Sequence, residues 1–238
     1  MLSTQPMITI IIPCHNEKKN LEKLAPILNE FSQKALCEII ISISSENSDD
    51  SLTSLEKFDF TFLKCKNKGR AFQMNEAVAI AKGNILAFLH ADVIPPNSFI
   101  ADIQRTIENN YDAGFFSYKF DSNNFFLKIN ASFTARDGIF TGGGDQCLFI
   151  KKSVFDELNG FNEDQILMED FEFFDRLKKE KITYKIIKND LIVSARKYKY
   201  NSYLRVNLSN MLLMILFKFG YSPLKLKTLQ NRLLKSSY

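Results

Sequence analysis

Residues 84–96 read NILAFLHADVIPP. Ile85 to Leu89 is an apolar run of strand length, too short for a buried helix, and Pro95-Pro96 closes the segment. His90 and Asp92 follow directly at the carboxyl end of the run. In open α/β sheets ligands bind beyond that edge. The stretch therefore predicts a buried strand and, where it ends, a compact candidate site for a divalent cation.

Outward from this strand the first half of the chain alternates. MITIII (7–12) predicts a buried strand stopped by Pro13. Asn20 to Lys34 spaces Leu21, Leu24, Ile27 or Leu28, and Phe31 along one helical face. CEIIISI (37–43) is a second strand, SSENSDDS (44–51) a loop running into a short helix, and DFTFLKC (59–65) a weaker third strand. After a loop at 66–69, Arg70 to Lys82 forms a helix with Met74, Val78 and Ala81 on one face, and Gly83 ends it in the C′ role. Asn97 or Ser98 caps the next helix, which runs to about Asn109. Strand and helix alternating through short connections mean an α/β fold with a largely parallel sheet covered on both faces.

The second half is less regular. AGFFSYKF (113–120) reads as a strand and Phe125 to Asp137 as a helix. TGGGDQ (141–146) is a glycine cluster ahead of a strand, CLFIKK (147–152). A short helix starts at Ser153 and ends at Gly160. From Glu169 to Lys179 a helix opens on acids and closes on Lys178-Lys179, complementing its dipole. A strand lies near 182–187, an apolar helix spans 203–219, and Pro223 opens an amphipathic tail. With no linker or repeat, the expectation is one α/β domain over 1–200 and a helical extension over 201–238 packed on it.

The 238 residues can bury a sizeable core, and 45% apolar with 24% charged residues is ordinary globular composition. A formal charge of +4 is small for this length, and no nucleic-acid partner is expected. The late basic cluster, including Lys178, Lys181, Arg196, Lys197, Lys199 and Arg205, reads as solvated surface, with phosphate or an anionic membrane as the alternative contact. Cys14, Cys37, Cys65 and Cys147 form no C-x-x-C pair, which suits buried reduced thiols in a cytoplasmic chain. Adjacent Cys14 and His15 are poorly placed for zinc. The amino terminus lacks a basic n-region, so no signal peptide is expected. No run approaches the ~20 apolar residues that span a bilayer.

Five constellations carry polar chemistry. PCHNE (13–17) puts Asn16 and Glu17 at the exit of strand one, where they can bond ligand hydroxyls or serve as ordinary turn residues. After strand two, Glu46, Asp49 or Asp50 can reach a ribose or base, unless Ser48 or Asp49 simply caps the next helix. Within NKGRAFQMNEA (67–77), Lys68 and Arg70 precede a helix amino terminus suited to anions, with Gln73 and Asn75 nearby. The P-loop pattern is absent. His90-Ala91-Asp92 suits Mn²⁺ or Mg²⁺ with a diphosphate completing the shell, or else a strand-end turn with His90 packed neutral. Gly144-Asp145-Gln146 and Met168-Glu169-Asp170 place carboxylates where one can act as a general base, though Glu169 and Asp170 also complement a helix dipole.

The order of these motifs is more specific than any one of them. PCHNE, a polar acidic loop, KGRAFQMNEAVAIAKGNILAFLHAD, GGGDQCLFIKKSVFDELNGF, LMEDFEFFDRLK and SARKY together resemble the family 2 glycosyltransferases of GT-A fold. Within them the chain is most similar to the small radical-SAM/selenodomain-associated subgroup. The resemblance covers about residues 7 to 220. It implies transfer of a sugar from a nucleotide-diphosphate sugar to an acceptor hydroxyl, with inversion and a divalent cation. Pro13, Asn16 and Glu17 match the strand-one nucleotide motif, and Arg70 and Asn75 fall on the nucleotide side. Asp92 matches the second acid of Asp-x-Asp, which holds the metal. Asp170 in the Glu169-Asp170 pair matches the general base, while Asp145 and Gln146 fall where donor or acceptor sugar would lie.

Two departures stand out. The usual aspartate ending strand two is Ser44 here, with Glu46 two residues on. His90 replaces the first acid of Asp-x-Asp, as it does in the subgroup. A non-catalytic sugar-nucleotide-binding or partner-binding protein on the same fold is the competing expectation. A sugar-phosphate nucleotidylyltransferase fits less well, because the first loop lacks its glycines. The 203–219 helix is expected to pack on the sheet, to meet a second subunit, or to lie at a membrane surface and make the chain peripheral there.

Overall fold

The computed structural model describes residues 7–34, 37–48, 55–138 and 140–235. Strand β1 (Ile8–Cys14) divides its side chains between two cores, with Ile8, Ile10 and Ile12 on one face and Ile11 on the other. β2 (Cys37–Ile43) and β4 (Ile85–Phe88) flank it in parallel, and β3 (Thr61–Lys64) joins β2 in parallel. The alternation repeats along them: Ile39, Ile41, Ile85 and Ala87 face the first core, Ile40, Leu86 and Phe88 the second. Burial on both sides is why these strands read as continuous apolar runs.

Helices α1 (Lys18–Lys34) and α3 (Phe99–Glu108) cover the first face through residues such as Leu21, Leu24, Phe31, Phe99 and Ile103. The second is covered by α2 (Arg70–Ile80), α5 (Lys152–Glu157) and α6 (Glu169–Lys179). There the rings of Phe88, Phe155, Phe161 and Phe173 meet with centroids 4.9 to 5.4 Å apart. The abundance of phenylalanine is partly core packing, each buried ring contributing about 1.5–3 kcal/mol.

Beyond β4 the sheet becomes mixed. β7 (Phe149–Lys151) runs antiparallel to β4 and to β6 (Ala113–Phe120); β8 (Tyr184–Val193) is parallel to β6, and β5 (Val93–Ile94) antiparallel to β8. The order is β3-β2-β1-β4-β7-β6-β8-β5, and four of the seven pairings are parallel. As a result β1, β2 and β4 deliver their following loops to one edge.

Four expectations need correction. β1 does not stop at Pro13 but continues to Cys14, whose carbonyl accepts from Ser44 N–H at 2.9 Å. Leu89 N–H still donates to Ile11 O at 2.9 Å, but Pro13 has no N–H to return to Leu89 O, so the β1–β4 ladder ends there while the β1–β2 ladder runs on to Cys14. Gly83 is not a left-handed helix cap, since α2 ends at Ile80 with Ala81 extended. Gly83 instead abuts β1: a Cβ there would lie 2.6 Å from Thr9 Oγ1 and 2.7 Å from Thr9 N. β8 continues six residues past Ile187, absorbing Lys188–Asp190 in an irregularity of register opposite Ser117. The helix from Phe125 is shorter than expected: α4 (Phe125–Ser132), capped by Asn124 Oδ1, gives way to a tight turn at Phe133–Ala135.

Three helices finish the chain: α7 (Arg196–Tyr200), α8 (Tyr203–Lys218) and α9 (Pro223–Leu233). The Asn201 amide ties the tail back, donating to Lys235 O at 3.1 Å and accepting from Lys235 N–H at 2.9 Å. Among the described residues no helix is long and apolar enough to cross a membrane.

Candidate active site

The loops after β1 and β2 clasp each other. Asn16, with φ of 55°, donates its N–H to Asn47 Oδ1 at 2.7 Å, and its own Oδ1 accepts from Ser48 N–H at 2.8 Å. Below them buried Gln73 donates to Cys14 O at 2.9 Å and Ser42 O at 2.8 Å, pinning the two strand ends. Glu46 meets Lys68 at 2.8 Å where both are exposed. Asp49 and Asp50 lie outside the described residues.

The clasped turn hands Glu17 into the interior. Arg196 of α7 grips it with two nitrogens, Nη2 donating to Oε1 at 2.7 Å and Nη1 to Oε2 at 3.2 Å. Asn20 Nδ2 also donates to Glu17. The same Arg196 Nη2 lies 3.2 Å from Asp92 Oδ2, so one guanidinium bridges the exits of β1 and β4. Burial and repulsion from Asp145 raise the Asp92 pKa, against the pull of His90 and Arg196.

His90 Nδ1 lies 3.3 Å from Asp145 Oδ1. Burial and Arg70 disfavour the imidazolium, but the hydrogen bond and charge of Asp145, with Asp170, outweigh them and raise its pKa. Asp145 responds in the opposite sense: burial disfavours its charge, and His90 above all overcomes this and lowers its pKa. The two shifts describe one imidazolium–carboxylate pair.

On the facing side Arg70 Nη1 donates to buried Glu169 Oε1 at 2.9 Å and lies 4.0 Å from Asp170 Oδ2. Burial and the Glu169 charge push Asp170 up to about 7, against His90 and Arg70. Gly144 sits between the two sides. A Cβ there would come within 2.4 Å of His90 Nε2 and 2.5 Å of Asp170 Oδ2, so imidazole and carboxylate rest on one glycine.

Of the expected site residues, Glu17, Arg70, His90, Asp92, Asp145, Glu169 and Asp170 form this connected network. Pro13 lies in β1 beside it. Asn75 is engaged elsewhere: its amide donates to Phe161 O at 2.8 Å and Glu163 Oε1 at 3.0 Å, and accepts from Phe161 N–H at 3.0 Å. Gln146 is buried, with Oε1 accepting from Gly142 N–H at 3.0 Å and Nε2 donating to Thr134 O at 3.1 Å. Cys147 and Met168 hold positive φ of 50° and 66° beside Gln146 and Glu169, strain borne next to the polar groups.

Sequence reasoning missed three cations. Arg196 was expected on a solvated surface and instead turns inward onto Glu17. Lys197 stands within electrostatic reach of Asp145, and Lys227 of α9 near Arg70 and Glu169; burial lowers the pKa of both. The SARKY run marked the position of Arg196, but nothing local named a partner 179 residues away.

Among the described residues no three His, Cys, Asp or Glu side chains are grouped to hold a metal ion. Asp92 offers one carboxylate at the sheet edge. That fits a hard cation that arrives with substrate and takes its remaining oxygens from phosphate and water.

The chain resembles known proteins in three comparisons. The family model described as Glycosyl transferase family 2 matches residues 9–171. An uncharacterized glycosyltransferase of Bacillus subtilis (strain 168), YfnE, is 30% identical over 107 residues, which are 42% of this chain and 27% of that protein. The chain thus spans about a quarter of that relative's length. S. aureus TarS 1-349 in complex with UDP-GlcNAc superposes with a TM-score of 0.68 at 13% identity, covering 94% of this chain and 70% of that one. The mannosyltransferase PcManGT from Pyrobaculum calidifontis, in complex with GDP-Man and Mn2+, gives 0.66 at 18% identity, covering 96% and 69%. The fold is that of the GT-A glycosyltransferases, and the chain belongs to glycosyl transferase family 2.

Proposed function

We propose that this protein transfers a sugar from a nucleotide-diphosphate sugar to an acceptor hydroxyl by a single inverting displacement, with Asp170 as the general base. The observation that carries this is the Asp170 carboxyl. It is buried beside Glu169, restrained by Arg70, packed with His90 against Gly144, and raised to about 7. A base poised near neutrality accepts a hydroxyl proton as the new bond forms. Glu169 spends its carboxylate on Arg70 and so orients Asp170 without competing for that proton.

The loops at 15–17 and 44–48 border the expected nucleotide side, with Glu46 and Lys68 at the mouth. Asp92 would hold the cation that arrives with the diphosphate, and His90, paired with Asp145, orients the loop that carries Asp145. When bound, Mn²⁺ or Mg²⁺ neutralises the charge that develops on the departing diphosphate. Arg196, already 3.2 Å from Asp92, adds a fixed positive charge at the same edge. Gln146 and Asn75 serve by holding the 141–146 and 160–163 loops in place.

The two neighbours that bind UDP-GlcNAc and GDP-Man lend support to a sugar-nucleotide donor. The motif order favours the radical-SAM/selenodomain-associated subgroup, and we place residues 1–200 as the transferase domain, 201–238 as its extension, in the cytoplasm. A melting screen tests the proposal. A nucleoside diphosphate raises Tm in the presence of Mn²⁺ and far less without it. A non-catalytic binder would show the same shift but no turnover, and Asp170→Asn would then change nothing.

A further inference from the structure

Helix α8 is apolar on two opposite sides. Val206, Leu213 and Met214 are buried. Leu204, Leu208, Met211, Leu212, Ile215 and, just past the helix end, Phe219 are exposed, Phe219 by 80% and Leu204 by 68%. At about 100° per residue these six fall within one arc of roughly 100°. Exposed Arg205 and Lys218 stand on its two borders, Lys218 pairing with Asp175 of α6 at 2.6 Å.

Helix α4 continues the surface. Its Phe126 ring packs on Tyr203 of α8 with centroids 5.1 Å apart, and Asn130 donates to Asn207 Oδ1 at 2.7 Å. Phe125 and Phe126 remain exposed. A contiguous apolar surface of this extent marks an interaction site.

Charge decides the partner. Residues 191–238 contain nine lysines and arginines and no aspartate or glutamate, while residues 1–190 carry a net charge of −5; Arg196, Lys197 and Lys227 turn toward the site, and the other six are exposed. A second copy stacked on this face by two-fold symmetry would set like charge against like charge. An anionic lipid surface offers the complementary charge together with an apolar layer. The 16-residue α8 is about 24 Å long, too short to span a bilayer but suited to lying in its interface.

We propose that the α4–α8 face docks on an anionic lipid bilayer, with α8 in the membrane plane and its basic borders at the headgroups. This goes beyond the proposed transferase activity and is independent of it, because vesicle binding requires neither donor nor cation. The test is flotation of the full chain with vesicles of phosphatidylcholine alone or with about 30% phosphatidylglycerol, together with light scattering in solution. The protein should float with the anionic vesicles, lose binding as salt rises, and scatter as a monomer. Leu208→Glu and Ile215→Glu, both at exposed positions, should each lower the partition coefficient at least about tenfold. Arg205→Gln and Lys218→Gln, at the two borders and outside the apolar arc, should each lower it about fivefold. Absence of flotation, equal flotation with both vesicle types, or a dimer dissolved by Leu208→Glu would overturn the proposal.

Discussion

Gly144→Ala concentrates the account of the site in one methyl group. Gly144 has no left-handed φ, so alanine suits its backbone and the effect is purely steric. Its Cβ would lie 2.4 Å from His90 Nε2 and Cε1 and 2.5 Å from Asp170 Oδ2, where ordinary contact begins at 3.4 Å. Both neighbours must therefore give way, each by about 1 Å. His90 is held by Asp145, and Asp170 sits in the first turn of α6 beside the Arg70–Glu169 pair, so the shift falls on groups that the proposed chemistry uses. A misplacement of ~1 Å costs on the order of 10²-fold in rate. Overpacking should cost about 1–3 kcal/mol of stability, or roughly 2–10 °C in Tm for a chain of this size. The assay is release of nucleoside diphosphate from a nucleotide sugar with Mn²⁺ present, beside a thermal melt. Gly138→Ala is the control, since a Cβ there meets nothing within 4 Å. If the two variants turn over at the same rate, the close approach of His90 and Asp170 to Gly144 does not govern the site.

Other outcomes follow from the same geometry. The chain has two histidines, so proton NMR resolves His90 against exposed His15; His90 should titrate above its usual range, and Asp145→Asn should bring it down. For stability the signs oppose: the raised His90 pKa contributes below about 6.5 and is lost as pH rises through the folded value, while the lowered Asp145 pKa contributes above about 3.9 and is lost as pH falls through its folded value. Wild-type stability should thus exceed that of Asp145→Asn most between those limits, and a constant difference from pH 3 to 9 would refute the ion pair. Arg70→Gln should cost about 1–3 kcal/mol by removing a partner of buried Glu169, and should move the acid limb of activity above about 7, because Arg70 holds the Asp170 pKa down. Gln73→Leu leaves two buried carbonyls without this donor and should lower stability by about 1–3 kcal/mol in urea melts, with little effect on the pH profile.

The parts legible in the sequence were those whose signal is local. Ile8–Ile12, Cys37–Ile43 and Ala113–Phe120 carry their burial in their own composition, and the acids and lysines of α6 mark its two ends. What sequence could not supply were partners distant along the chain. Lys188-Asn189-Asp190 looks like a turn that ends a strand, yet Ser117 Oγ donates to Asp190 Oδ1 at 2.6 Å and β8 continues. Glu169 resembles a helix-dipole residue until Arg70 meets it from 99 positions away. Arg196 belongs to a basic run, and charge runs usually face water; only the fold brings Glu17 and Asp92 to it.

The proposed sugar transfer from a nucleotide-diphosphate sugar stands or falls with Asp170 as its base. The direct measurement is nucleoside diphosphate release by wild type and Asp170→Asn across pH, with Mn²⁺ and an excess of donor. Wild-type release should rise with pH through about 7, and Asp170→Asn should fall by about 10²- to 10⁴-fold without that rise. Equal rates and matching pH profiles for the two proteins would contradict it.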